Sequence, residues 1–189
     1  MEWGFLPSIL KYLSLPVTIE YFMVSVSDAE LCKAAASGAD KFLEVIVDGI
    51  RRAAGDCLNA EAIMILNGYQ NALMAYSVFR DEVMEGGFIQ LIQNGYGPYI
   101  FYNPFAKSMR LFGVARLAVL VNKANEIYRA NRDDLERERD DDEFMAMYEQ
   151  YEQFDPLQDE FIELEPDFTN TIAAYVDDNI NQFVDEIVR

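Results

Sequence analysis

The chain contains no histidine, and only two of its 189 residues, Cys32 and Cys57, are cysteines. Without histidine there is no Ser-His or Cys-His nucleophile, no imidazole metal ligand and no di-iron bundle of the Glu-x-x-His kind. Two cysteines without a Cys-x-x-Cys spacing do not make a disulfide framework, which favours buried free thiols in a reducing compartment. We therefore expect a protein that is not an enzyme and that holds no cofactor and no metal.

Long hydrophobic runs are also missing. No stretch approaches the ~18 uninterrupted apolar residues of a membrane span. The N-terminus, MEWGFLPSILKYLSLPV, has no basic start and is interrupted by Pro7 and Pro16, so it is a poor signal peptide. These features predict a cytoplasmic protein without a membrane partner.

Basic residues are scarce, above all near the C-terminus. The net charge is −18 and the pI is about 4.2. Residues 1–139 carry 17 acids and 14 bases, whereas residues 140–189 carry 16 acids and one base, Arg189. Phosphates and anionic membranes would be repelled, so direct nucleic-acid binding is disfavoured.

Apolar residues recur mainly at helical spacing. A first helix is expected from an N-cap at Ser27 to about Gly38, and a second follows it and ends near Gly55. A third is expected from a cap at Asn59 to Gly86–Gly87, with Leu66 on its apolar face. The clearest stripe lies in residues 113–130. Its members are Val114, Leu117, Ala118, Val121, Ala124, Asn125 and Tyr128. Strand evidence is confined to residues 16–26, which equally fit a short helix or an extended arm.

A last helical stripe closes the chain. Its members are Phe168, Ile172, Tyr175, Val176, Phe183, Val184 and Ile187. The patterns together predict an all-α, single-domain multi-helix bundle with an acidic C-terminal helical region. Residues 1–58 are expected to form a helical extension packed on the core, and residues 59–189 the main helical domain.

Within the segment RDDLERERDDDEF (132–144) the charged residues change from a mixture of acids and bases to acids alone. On a continuous helix it would pair Asp133 with Arg137, Glu136 with Arg139, and Arg139 with Glu143. Beyond Arg139 the acids have almost no basic neighbours, and the net charge exceeds the roughly 2–8 that solubility needs. We therefore treat these acids as candidate contacts for an electropositive partner. They are Asp140, Asp141, Asp142, Glu143, Glu149, Glu152, Asp159, Glu160, Glu163, Glu165 and Asp167.

A glycine-rich stretch resembles a phosphate cradle but lacks the Lys-Ser/Thr that should follow. A structural role is favoured for its residues, in which glycine breaks a helix and polar side chains hold loop backbone. They are Gly86, Gly87, Phe88, Gln90, Asn94 and Gly97.

Three segments carry a resemblance to a known family. They are LNGYQNALMAYSVFRDEVMEGGFIQLIQNGYG (66–97), LFGVARLAVLVNKANEIY (111–128) and FDPLQDEFIELEPDFTNTIAAYVDDNINQF (154–183). Across roughly residues 60–185 the chain resembles the bacterial domain family of an acidic DNA-mimic protein. It departs from the family pattern at Glu85, where asparagine is usual, and at Gln158, where an acid is common.

The resemblance implies a helical, dimeric protein that binds a transcription factor in place of DNA. The hypothesis is thus a non-catalytic acidic protein that occupies the groove of a basic DNA-binding protein, with a homodimer as the assembly that the resemblance implies. The alternative is a helical interaction or immunity-type protein whose partner does not bind DNA and whose acidity serves mainly solubility.

Overall fold

The computed structural model describes residues 23–55 and 64–189, and these ranges are mainly helical. The helices are α1 Asp28–Ser37, α2 Ala39–Ala53, α3 Gly68–Gln93, α4 Gly97–Phe101, α5 Phe105–Leu111, α6 Ala115–Leu135, α7 Asp141–Gln150 and α8 Asp155–Asp178. Two short 3₁₀ turns, Glu152–Phe154 and Ile180–Gln182, and two strands, β1 Ser25–Ser27 and β2 Glu186–Val188, complete them. The all-α prediction is confirmed.

Helix starts follow capping chemistry. The Ser27 side chain accepts a hydrogen bond from the Glu30 amide and begins α1 as predicted. The predicted cap at Asn59 lies outside the described residues. Met64 and Ile65 are helical, but the expected continuous helix is interrupted at Leu66 and Asn67. It resumes as α3 at Gly68, where Asn67 and Gln70 form a reciprocal capping box, so Leu66 precedes α3.

The centre of the core is α3. Phe79, fully buried, meets Phe88, Phe105 and Phe161, with ring centroids 5.7, 5.5 and 5.0 Å away respectively. These aromatic contacts tie both halves of α3 to α5 and α8. The helix α2 packs on α8 and contributes Phe42, Ile46 and Ile50 to the same core.

The apolar stripes are largely confirmed. In α6 the predicted residues Leu117, Ala118, Val121, Ala124 and Tyr128 are all buried. The C-terminal stripe was extended too far. Because α8 ends at Asp178, Ile187 lies on β2 and is 41% exposed.

A small parallel sheet joins the two ends of the described chain. Residues 25–27 of β1 pair with residues 186–188 of β2. The Val24 amide donates to the Asp185 carboxylate over 2.8 Å, and the Asp185 amide donates to the Val24 carbonyl over 2.8 Å. The strand alternative is thus confirmed for residues 25 and 26 of the 16–26 segment. Residues 16–22 lie outside the described chain.

The cysteines and the length of the helices bear on two further predictions. Cys32 is exposed, so the prediction of a buried thiol is wrong at that position, and Cys57 lies outside the described residues. Within the described ranges, none of the helices combines the length and the apolar composition needed to cross a bilayer.

Candidate partner-binding surface

The first candidate acids form the start of α7. The Asp140 carboxylate accepts a 2.9 Å hydrogen bond from the Glu143 amide and caps the helix, and Asp141, Asp142 and Glu143 occupy its first turn. Carboxylates are favourable there because a helix N-terminus carries partial positive charge. All four are exposed, so they stabilise α7 and remain accessible to a partner.

The ion pairs predicted for residues 132–144 are wrong. The helix α6 ends at Leu135, so the expected i+4 spacing does not continue through this segment. Instead Asp134 lies 2.7 Å from Arg139, while Arg137 lies 3.3 Å from Glu143. The two arginines nearest to the acidic region are therefore already engaged in this turn.

A tyrosine from the end of α7 also reaches this turn. The Tyr151 hydroxyl donates to the Asp134 carboxylate over 2.5 Å. This hydrogen bond is the main cause that lowers the pKa of Asp134, and burial together with the same bond raises the pKa of Tyr151 to about 12. At neutral pH the ionised Asp134 carboxylate and the protonated Tyr151 hydroxyl therefore hold the junction between α6 and α7.

The helix α8 carries a regular row of exposed acids. They lie at every fourth position, on one side of the helix. The members of this α8 row are Asp155, Asp159, Glu163 and Asp167. Four residues rise about 6 Å along a helix axis, so the row spans about 18 Å. Asp155 was missing from the candidate set, although its spacing from Asp159 identifies it.

The two exposed acids Glu149 and Glu152 precede the α8 row, on α7 and on the 3₁₀ turn. Between residues 140 and 188 the sequence contains no lysine or arginine. Any cation near this surface must therefore come from another part of the chain or from a partner.

Two candidate acids lie apart from the exposed set. Glu160 is half-buried and forms an ion pair with Arg116 of α6. Glu165 is only 7% exposed, forms an ion pair with Arg80 of α3, and accepts a 2.6 Å hydrogen bond from Thr169. This burial, with Arg80 and Thr169 as partners, leaves little of the Glu165 carboxylate accessible to another protein.

The glycine-rich motif lies on α3 and at the start of α4, where Gly86 and Gly87 contact side chains of α7 and α8. Gln90 and Asn94 both donate to the Glu82 carboxylate, over 3.3 and 2.8 Å. Gly97 packs so closely against the Tyr128 ring that a Cβ there would lie 2.9 Å from it. These contacts agree with the structural role expected for the motif.

In residues 23–55 and 64–189 no three acids or cysteines are grouped so that they could hold a metal ion. Burial raises the pKa of Tyr76 and of Tyr99 to about 12, which keeps both hydroxyls protonated at neutral pH.

Comparisons with known proteins agree with the resemblance seen in the sequence. The family model described as DMP19-like protein matches residues 65–179, which comprise α3 to α8. The DNA mimic protein DMP19 of Neisseria meningitidis serogroup B is 28% identical over 124 residues, which cover 65% of this chain and 75% of that protein. The matched region is more than half of the chain, and the chain therefore belongs to the family of DMP19-like proteins.

Proposed function

We propose that this protein is a non-catalytic DNA mimic that binds the basic surface of a DNA-binding protein through its exposed acids. The observation that carries the proposal is the α8 row, four exposed carboxylates one helical turn apart with no basic side chain among them in the sequence.

The spacing of the α8 row suits a partner whose basic side chains contact DNA phosphates. Successive carboxylates are about 6 Å apart along the helix axis, and successive phosphates of one DNA strand are about 7 Å apart. A protein that holds DNA positions its lysines and arginines against such phosphates. Those cations can meet a row of carboxylates at similar intervals.

The family supports the same proposal. The relative from Neisseria meningitidis is named a DNA mimic protein, and α8 with its acidic row lies inside the matched residues. As the family resemblance implies, we also propose that the chain forms a homodimer. Light scattering should then give twice the 21.7 kDa of one chain.

The test is retention on the immobilised protein. Extract from the source cell is applied at low salt and eluted with a salt gradient. We expect a discrete DNA-binding protein that is displaced by its own DNA site. If the retained protein binds no DNA, or is not displaced by DNA, the mimic proposal fails and the helical interaction or immunity-type alternative takes its place.

A matched pair of variants separates the α8 row from net charge. One replaces Asp159, Glu163 and Asp167 with their amides. The control replaces Glu126, Asp133 and Glu138 with theirs; these are exposed acids elsewhere on the molecule. Both variants lose three negative charges, so net charge cannot explain a difference between them. We expect only the first to lose affinity for the partner, and equal losses of affinity would contradict a defined binding surface.

A further inference from the structure

The helix α3 is interrupted at Gly86 and Gly87, and we call this point the α3 kink. Gly86 has φ −148° and ψ 18°, and Gly87 has φ 74° and ψ −169°. The positive φ at Gly87 favours glycine, since other residues are strained there. A kink in a helix also releases backbone groups from their i to i+4 hydrogen bonds, so they become available to other partners.

Three side chains from the acidic part of the chain meet at the α3 kink. The Tyr148 hydroxyl of α7 donates to the Gly86 carbonyl over 2.9 Å. The Gln158 carboxamide of α8 lies against Gly87, where an added Cβ would overlap its oxygen. The Phe154 ring, in the 3₁₀ turn between these helices, stacks on Phe88 with centroids 5.3 Å apart. One point of α3 therefore contacts both acidic helices and their connection.

The kink is also held by contacts within α3 itself. Gln90 and Asn94, which follow it, both hydrogen-bond to the carboxylate of Glu82, which precedes it. Space at Gly86 is occupied by the Gln90 side chain, which a Cβ would overlap. The bend thus has hydrogen bonds across it, and the contacts from α7 and α8 rest on a fixed support.

The helix α7 needs such a support. It has 10 residues, fewer than the ~12–15 at which an isolated helix becomes even marginally stable in water. Its single fully buried side chain is Met147, and Tyr148 beside it is half-buried. Tertiary contacts therefore determine whether α7 keeps its position relative to α8.

We propose that the α3 kink sets the relative position of α7 and α8, and that Tyr148 and Gln158 are positioning residues for the partner-binding surface. The inference rests on the proposed function. A surface whose carboxylates are already fixed meets a rigid basic groove without the entropic cost of ordering two helices during association.

The first test measures position and needs no partner. Spin labels are placed at Met145→Cys on α7 and Asn170→Cys on α8, both exposed, in a chain with Cys32→Ser and Cys57→Ser. We expect a narrow distance distribution, which broadens in Tyr148→Phe and in Gln158→Ala. The control is Tyr96→Phe, another half-buried tyrosine, which lies outside the kink and should leave the distribution unchanged. A distribution that stays narrow in both variants, or broadens equally in the control, overturns the proposal.

The second test measures binding with two probes. One is the DNA-binding protein recovered by retention, and the other is poly-L-lysine, whose flexible chain adapts to displaced carboxylates. Tyr148→Phe should weaken binding to the recovered protein about two- to tenfold, the range for one lost hydrogen bond, and leave poly-L-lysine binding unchanged. Equal losses for both probes contradict positioning. If the native chain retains no DNA-binding protein, the proposed function fails, while the label distances still decide the role of the kink.

Discussion

Glu163 and Glu165 are two residues apart on α8, and their amide variants should behave in opposite ways. Glu163 is exposed in the α8 row, whereas Glu165 is 7% exposed and paired with Arg80. We expect Glu163→Gln to weaken partner binding and leave the free energy of unfolding within about 0.5 kcal/mol of the native value. We expect Glu165→Gln to leave partner binding unchanged and to lower stability.

The magnitude for Glu165 follows from its contacts. Thr169 donates to the Glu165 carboxylate over 2.6 Å, and Tyr76 shares a 2.7 Å hydrogen bond with Thr169. Glutamine keeps the shape and an acceptor but loses a charge-assisted bond, which costs about 1.5–3 kcal/mol. Arg80→Met leaves the buried carboxylate without its cation. A fully buried pair would lose about 3–5 kcal/mol, and we expect about 2–3 because Arg80 is one-third exposed.

Urea unfolding followed by circular dichroism at 222 nm measures these differences. A loss of 2 kcal/mol in a chain of this length should also lower the melting temperature by about 4–8 °C. The reasoning is refuted if Glu165→Gln is as stable as the native chain, or if it weakens partner binding as much as Glu163→Gln does.

The remaining predictions concern helix capping, alkaline pH and the glycine kink. Asp140→Ala removes the N-cap of α7 and should lower the free energy of unfolding by about 1 kcal/mol, with faster amide exchange in the first turn of α7; unchanged exchange there would contradict the capping role. Burial raises the pKa of Tyr76 and Tyr99 to about 12, above the ~10 of an unfolded tyrosine, so their contribution to stability is complete below about pH 10 and is lost as the pH rises towards 12. Urea unfolding at pH 8, 10 and 11 should show this decline, and a smaller decline in Tyr76→Phe; a flat profile would argue against it. Gly87→Ala meets both an unfavourable φ and the Gln158 side chain, so it should destabilise the chain more than Gly95→Ala, where a Cβ meets open space at a similar φ of 84°.

The sequence was most informative where one helix presents one face to the core. The stripe in α6 was predicted because its members follow the 3.6-residue period, and Leu117, Val121 and Tyr128 lie in the core as expected. Leu120 and Leu135 are also buried but were not part of the predicted stripe. The break at Gly86–Gly87 was predicted for the same kind of local reason, since glycine favours it. The break at Leu66 and Asn67, between the helical residues Met64–Ile65 and α3, was missed because the capping box of Asn67 with Gln70 was not recognised.

The candidate surface could be predicted only in part. The acids that cap or line the exposed sides of α7 and α8 follow from the local sequence. Glu165 could not be separated from them, because its cation, Arg80, lies 85 residues away in the chain. The ion pairs predicted for residues 132–144 were wrong because α6 ends at Leu135. No glycine or proline stands there to indicate that the helical spacing would end.

The most direct test of the central claim is a competition titration. Labelled DNA is first bound to the DNA-binding protein recovered by retention. The acidic chain is then added, and fluorescence anisotropy reports how much DNA is still bound. We expect the native chain to release the DNA, and the variant with Asp159, Glu163 and Asp167 changed to amides to need a much higher concentration at the same salt. DNA that stays bound at saturating protein, or release that is equally strong with that variant, would contradict the claim that the α8 row takes the place of phosphates.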